Sequence, residues 1–393
     1  MSLWRQRAKD ARWTAAGDPS TSLRAGWRHH CSATLPARSR PSNLSIDIGV
    51  HIGPANFEED LAVNRCSTLS HSCVLFLFVV SAFPTLFAQH VVATVPVGSE
   101  PRGVAVNPNT GHIFVANVTG GSVSVLQSNT VIATIPVDTL PYEIAVDAKT
   151  NRVYAAGCNF FTGAGSMVVV IDGNTNQVIT NISLNQSCGL GTQGIAANQF
   201  TNRVYVSDYD DSQEVVIDGA TNQILTRVDL AGRAPLGVTV NLRTNQVWAV
   251  IDGPDGLVDV IDGHTNTLID TITVASSFLS DVAIDPFTQR AYVTATSSPV
   301  GVYVLDTATR QVITSIPFGG LDNAVDVDLL SNRIFVSDGQ GNQVGVIDGS
   351  TNTLVATVPL RGSFPAGIAA NPVTKRVYVS DFNSAQVEIM TEK

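Results

Sequence analysis

An apolar–aromatic–apolar segment behind a short polar turn returns seven times in this chain, and nothing else in the sequence restricts its fold so strongly. The copies include His112-Ile-Phe114-Val-Ala, Arg152-Val-Tyr154-Ala-Ala, Arg203-Val-Tyr205-Val-Ser and Gln246-Val-Trp248-Ala-Val. Arg290-Ala-Tyr292-Val-Thr, Arg333-Ile-Phe335-Val-Ser and Arg376-Val-Tyr378-Val-Ser complete the set. The aromatic positions 114, 154, 205, 248, 292, 335 and 378 lie 40 to 51 residues apart, and mostly 43 or 44. A unit of that length cannot bury its own apolar surface, and its period is that of a four-stranded propeller blade.

Each unit reads as four short strands, A to D. Strand A is Gly-Val-Ala-Val-like, as at Gly103–Val106, and an Asn/Asp-Pro-x-Thr turn leads to strand B, which holds the aromatic. Strand C, as at 168–171, is joined to strand D by an Asp-Gly-x-Thr-Asn turn. That turn recurs at Asp172, Asp218, Asp262 and Asp348, and in altered form at Asp306. Asp and Asn accept bonds from nearby backbone N–H groups and tolerate positive φ, so hairpin chemistry explains these aspartates better than a metal loop does. Strands A and B are apolar at nearly every residue, which predicts burial on both faces. Pro96, Pro136, Pro317 and Pro359 fall at one equivalent place in strand D. Proline cannot donate to a ladder, so D belongs at the outer edge.

The last repeat runs through strand C, Gln386–Met390, and lacks a strand D. Val91-Val-Ala-Thr-Val-Pro-Val97 is an orphan strand D that closely matches Val131-Ile-Ala-Thr-Ile-Pro-Val137. The expected fold is therefore all-β: a seven-bladed β-propeller with four antiparallel strands per blade, covering 90–393. The N-terminal strand joins the last blade and closes the ring, which removes free edges.

The first 89 residues are a different kind of chain, with 9 Lys+Arg against 6 Asp+Glu, whereas 90–393 has 14 against 27. Residues 1–64 show no period and read as a leader that is disordered or not native, with a true start near Leu61 or Val63. Residues 65–88 read as a secretory signal: Arg65, an apolar run over Cys73–Phe83, then Pro84 to Ala88 with cleavage before Gln89. The run is too short to span a bilayer as a helix. Export is expected, to the periplasm, the medium or the cell surface, with no membrane span after cleavage.

The repeats resemble the YVTN-type propeller repeats of bacterial exported and archaeal surface-layer proteins. Tyr205-Val-Ser-Asp208, Tyr292-Val-Thr-Ala295, Tyr378-Val-Ser-Asp381 and the Val-Ile-Asp-Gly-x-Thr-Asn turns carry the likeness. It implies a seven-bladed fold, an exported location and a binding or scaffold role.

The B–C and D–A loops share one face of such a ring, and the A–B and C–D turns share the other. The loop face varies and is the expected binding surface. Cys158 and Cys188, the only cysteines after the signal, both fall there, and an exported chain permits a disulfide between them. It would brace the insertion 157–165. Asp208, Asp210 and Asp211 follow strand B of repeat 3, with Asp338 and Asp381 at comparable places and Asp252 with Asp255 in repeat 4. Oxygen-rich loops suit Ca²⁺ or Mg²⁺. The simpler reading is a solvated acidic rim, and no cofactor is expected. Asp326 stands in strand A where the other repeats have Ala or Thr, and a hydrogen-bonded structural role is preferred to a site. Arg152, Arg203, Arg290, Arg333 and Arg376 recur beside the A–B turn as partners for turn carbonyls and aspartates.

Three histidines, His90, His112 and His264, follow the signal, and none gives a zinc cluster or a general base on the loop face. There is no nucleophile elbow or phosphate loop. No catalysis is expected. The partner is a protein or a cell-envelope glycan, nucleic acid is not expected because of the acidic balance, and the chain is expected to be monomeric. A metal-dependent lactonase- or lyase-like propeller and a structural surface-layer module are the alternatives.

Overall fold

A computed structural model describes residues 89–159, 163, 165–185, 188, 191–275, 277–321 and 324–392. The leader and the signal segment, including Ala88, lie outside the described residues. Within them are 28 strands in seven four-stranded antiparallel sheets. Strand β1 (Val91–Pro96) comes first. Blade 1 is β2 to β5 (Pro101–Val106, His112–Asn117, Ser122–Gln127, Thr130–Pro136) and blade 2 is β6 to β9 (Leu140–Asp147, Arg152–Asn159, Gly165–Asp172, Gln177–Asn185). Blade 3 is β10 to β13 (Thr192–Asn198, Arg203–Asp208, Gln213–Asp218, Gln223–Asp229) and blade 4 is β14 to β17 (Pro235–Asn241, Gln246–Ile251, Leu257–Asp262, Thr267–Thr273). Blade 5 is β18 to β21 (Leu279–Asp285, Arg290–Ala295, Gly301–Asp306, Gln311–Ile316) and blade 6 is β22 to β25 (Val325–Asp328, Arg333–Asp338, Gln343–Asp348, Thr353–Pro359). Blade 7 is β26 to β28 (Pro365–Asn371, Arg376–Asp381, Gln386–Thr391) with β1 as its outer strand. The ring is a seven-bladed β-propeller, closed as the orphan strand predicts.

Closure is specific in register. Thr94 pairs with Glu388 and Val95 with Val387, and Val91 pairs with Met390 across a bulge. Gln89 Nε2 donates to the Glu392 carbonyl at 2.6 Å, and Val97 N donates to the Ala385 carbonyl at 3.0 Å. Strands B and C are buried along almost their whole length, while strand D alternates outward and inward. Strand A is buried along most of its length in β6, β14 and β26, whereas β2 is only half-buried.

The aromatic of strand B links neighbouring blades. Phe114 packs with Val153 and Val169 of blade 2, and Tyr154 with Val204 and Val206 of blade 3. Tyr205 meets Val247 and Ala249 of blade 4, and Tyr292 meets Val325 and Ile334 of blade 6. Phe335 packs with Ile368 of blade 7, and Tyr378 with Ile113 and Val115 of blade 1, so the apolar core also passes through the seam. A buried ring of this size contributes several kcal/mol by leaving water, roughly 3–5 by truncation experiments.

The turns behave as their composition dictates. Asp172 Oδ1 accepts from Asn174 N at 2.8 Å and Thr175 N at 3.2 Å, and Asp218, Asp306 and Asp348 also accept N–H groups of their own turns. Asn176, Asn222, Asn266 and Asn352 take positive φ, and Arg310 does so in the altered copy.

Candidate functional site

The blades converge on the axis, and strand A must fit where room is least. Gly103, Gly194, Gly237 and Gly367 occupy one level of the channel wall. A Cβ on Gly194 would strike the Leu236 carbonyl, and one on Gly237 would strike Asp281, 2.5 Å from its Oδ1. At that same level blade 2 has Glu143 and blade 5 has Asp281. Glu143 lies over Gly103, with its Oε1 3.7 Å from Arg102 Nε, and Arg102 covers the Tyr142 ring at 5.5 Å. Burial pushes the Glu143 carboxyl up to about 7, with Arg102 pulling it back. Burial likewise lifts Asp281 to about 7, although Val325 N donates to its Oδ2 at 3.0 Å and Val282 N to its Oδ1 at 2.8 Å.

Asp326 lies one level deeper, opposite Phe335, and accepts from Ala370 N at 2.8 Å. Burial raises it to about 6. Asp281 thus ties blade 5 to blade 6, and Asp326 ties blade 6 to blade 7, each from the inner strand. Glu143 and Asp281 were not singled out by the sequence reading as site residues. An alignment of the seven A strands would have shown them, since they replace glycine or alanine at one level. The channel wall offers one guanidinium and carboxyls that hold protons near neutrality, a combination suited to hydrogen bonding. Among the described residues no three His, Cys, Asp or Glu side chains converge as a metal-ligand set.

The loop-face aspartates are not the solvated rim that their composition implies. Asp208, Asp338 and Asp381 are buried. Asp338 turns back beneath its loop, where backbone N–H groups need an acceptor, while Asp208 and Asp381 are met by side-chain amides. Asp338 Oδ1 accepts from Gln340 N at 3.2 Å and Gly341 N at 2.9 Å, and Gln343 Nε2 donates to its Oδ2 at 3.0 Å. Gln386 Nε2 donates to Asp381 Oδ2 at 3.0 Å. Burial, with Glu388 close by, lifts Asp381 to about 7. Glu388 Oε1 accepts from Arg361 N at 2.6 Å, and the carboxyls of Asp381, Glu388 and Glu392 are all buried at the seam blade.

Asp208 is served differently, by Asn185 Nδ2 at 2.9 and 2.7 Å and by Arg227 Nη1 at 3.7 Å. Burial and the charge of Asp211 push it up to about 6. Asp210 Oδ2 accepts from Gly191 N at 3.1 Å, and Tyr209 donates to Asp252 Oδ2 at 2.6 Å. Asp255 is exposed. Asp208, Asp210 and Asp211 therefore meet at the B–C loop of blade 3, Asp252 and Asp255 share that of blade 4, and Asp338 and Asp381 stand in blades 6 and 7.

Cys158, in strand B of blade 2, is bonded to Cys188 in the following D–A loop, with Cα atoms 5.8 Å apart. Arg152 Nη1 donates to the Gly219 carbonyl and Arg203 Nη1 to the Gly263 carbonyl at 2.5 Å, each in the next blade's C–D turn. Arg290 pairs with Asp306 at 3.1 Å and Arg333 with Asp348 at 2.9 Å. Arg376 is the exception: its buried Nη1 has no partner among the described residues. Blade 7 has the chain seam in place of a C–D turn, and blade 1 has a shorter one, Gln127–Thr130.

No protein-family model matches the chain. A 169-residue stretch is 24% identical to the uncharacterized protein YncE of Salmonella typhi and of Salmonella typhimurium. The stretch is 40% of this chain, and it spans less than half of each relative, 45%. The fold resembles that of a chain of Kuenenia stuttgartiensis hydrazine synthase, with a TM-score of 0.66 and 18% identity over 74% of this chain and 95% of that one. Fold and distant sequence likeness agree on a propeller protein.

Proposed function

We propose that the chain is an exported binding or scaffold propeller of the YVTN type that presents its loop face to a protein or a cell-envelope glycan. The division of labour between the two faces carries this reading. The A–B and C–D turns are near copies of one another, and their aspartates and arginines bond within the turns. These turn segments hold nine Lys+Arg against eight Asp, so that side is close to neutral. Elsewhere the ring has five basic groups against nineteen acidic ones. The length variation and the cysteine pair belong to the loops, and the excess acid to the loops, the channel and strands C and D, with Asp138, Asp211, Asp229 and Asp255 exposed. A surface of that sign favours neutral or cationic partners and repels nucleic acid.

The lactonase-like alternative has less support, since Asp281 and Asp326 already accept backbone N–H groups of the next blade. Among the described residues no helix is long and apolar enough to cross a membrane.

Two measurements test the proposal. N-terminal sequencing of the exported chain should begin at Gln89. Co-sedimentation with the envelope fraction of the source cells should be lost when exposed loop-face acids are reversed, as in Asp138→Lys with Asp255→Lys. Lys149→Glu on the turn face should leave it intact. Equal loss in both variants, or equal retention, would refute recognition through the loops.

A further inference from the structure

Asp208 draws its hydrogen bonds from outside its own loop, from Asn185 of blade 2. In blades 6 and 7 the glutamine opening strand C donates to the aspartate closing strand B: Gln343 to Asp338 and Gln386 to Asp381, both at 3.0 Å. In blade 3 the same glutamine is Gln213, the cross-strand partner of Asp208. Among the described residues it makes no bond to Asp208, and its Oε1 is sealed from water without a partner. Thr192, the partner of Asp208 on the other side, is fully buried, and its Oγ1 is likewise unsatisfied. So is Asn185 Oδ1.

Sealed acceptors without donors cost free energy unless something electropositive meets them. A marker for its place exists. Asn185 Nδ2 sits where three carboxylate oxygens converge, 2.9 and 2.7 Å from Asp208 and 3.1 Å from Asp211 Oδ2. The local charge points the same way. Asp208 lies 3.7 Å from the Arg227 guanidinium, and the negative charges of Asp211 and Asp210 also act on it. Hard, divalent and oxygen-seeking describes Ca²⁺, which takes six to eight such ligands.

We propose that Asp208, Asp211, Asn185, Gln213 and Thr192 form a Ca²⁺ site between the outer strand of blade 2 and the B–C loop of blade 3. The Asn185 amide turns so that Oδ1 meets the ion in place of Nδ2. The site then contains two carboxylates, two amide oxygens and one hydroxyl. It pins the end of β9 to blade 3 on the loop face.

Calorimetric titration of CaCl2 into the EDTA-dialysed chain tests this. One saturable site is expected, with an affinity near that of extracellular Ca²⁺ modules, roughly 10⁻⁴–10⁻³ M. Saturating Ca²⁺ should also raise the thermal midpoint, since the ion binds the folded state alone. Asp208→Asn should abolish binding. Asp211→Asn, at an exposed residue that folding does not need, should weaken it about tenfold or more, the worth of one carboxylate ligand at roughly 1.4 kcal/mol. Asp338→Asn in blade 6 should bind like the parent. Absence of saturable heat and of any midpoint shift at about 10 mM CaCl2, ten times the weakest such affinity, would overturn the site. So would unchanged affinity in Asp211→Asn, or equal loss in Asp338→Asn.

Discussion

The carboxyls of this ring fall into two populations that titrate in opposite senses. Glu143, Asp281 and Asp381 are held near 7 and Asp326 near 6 by burial, against roughly 4 in an unfolded chain. Between those values the folded state binds more protons than the unfolded one. Their contribution is complete below about pH 4 and is lost as pH rises through 6 to 7. The turn aspartates Asp172, Asp218, Asp306 and Asp348 run the other way, held low chiefly by N–H groups and side-chain donors of their own turns. Their contribution is present above about pH 4 and disappears on further acidification. The thermal midpoint should therefore peak near pH 5 and fall by several degrees toward pH 8. Calorimetry from pH 4 to 9 measures this, and a flat or rising midpoint between 5 and 8 would contradict it. Asp281→Asn should flatten the alkaline limb.

At the level of elements, two places have no slack. Strand β10 passes β14 so closely at Gly194 that Gly194→Ala must push the Leu236 backbone away from the axis. Overpacking against backbone of that kind costs about 1–3 kcal/mol, readable as a lower urea midpoint at unchanged slope. Strand β1 is the other. Its register with β28 and the insertion of Val91 and Val95 into blade-to-blade clusters make it the closing member of the ring. Deleting Val91–Pro96 bares the edge of β28 and breaks the core between blades 7 and 1. The expected result is a midpoint lower by more than about 10 °C and a tendency to aggregate. A deletion chain that stays monodisperse with the parent midpoint would show that closure is dispensable.

Over the whole molecule, long-range ties are unevenly placed. The bond between Cys158 and Cys188 closes a segment with a sequence separation of 30 residues on the loop face. Loop-closure entropy assigns such a link about 3–4 kcal/mol. Reduction and alkylation should lower the thermal midpoint without opening the seam, which lies in blade 7. Two free thiols in the unreduced protein would remove this tie. The inner carboxylate ties from Asp281 and Asp326 serve blades 5 to 7, and blade 6 has the shortest inner strand.

The sequence alone determined what is local and repeated. The 43-residue period set the number of blades. The aromatic of strand B set the register, and the Asp-Gly-x-Thr-Asn turns wrote their own backbone. The orphan Val91–Val97 strand predicted closure, because a strand D without a blade and a blade without a strand D fit each other alone. Tertiary structure decided what depends on neighbours from other blades. It buried Asp208, Asp338 and Asp381, which composition places in solvent, because loop N–H groups of blade 6 and amide side chains of Asn185 and Gln386 supply their donors. It brought Glu143 and Asp281 to the channel wall, where convergence of the blades makes a carboxyl hold its proton. It left Arg376 without the turn carbonyl that Arg152 and Arg203 find in the next blade. Such contacts lie tens of residues apart or cross the chain ends, and no local pattern of charge or hydropathy encodes them.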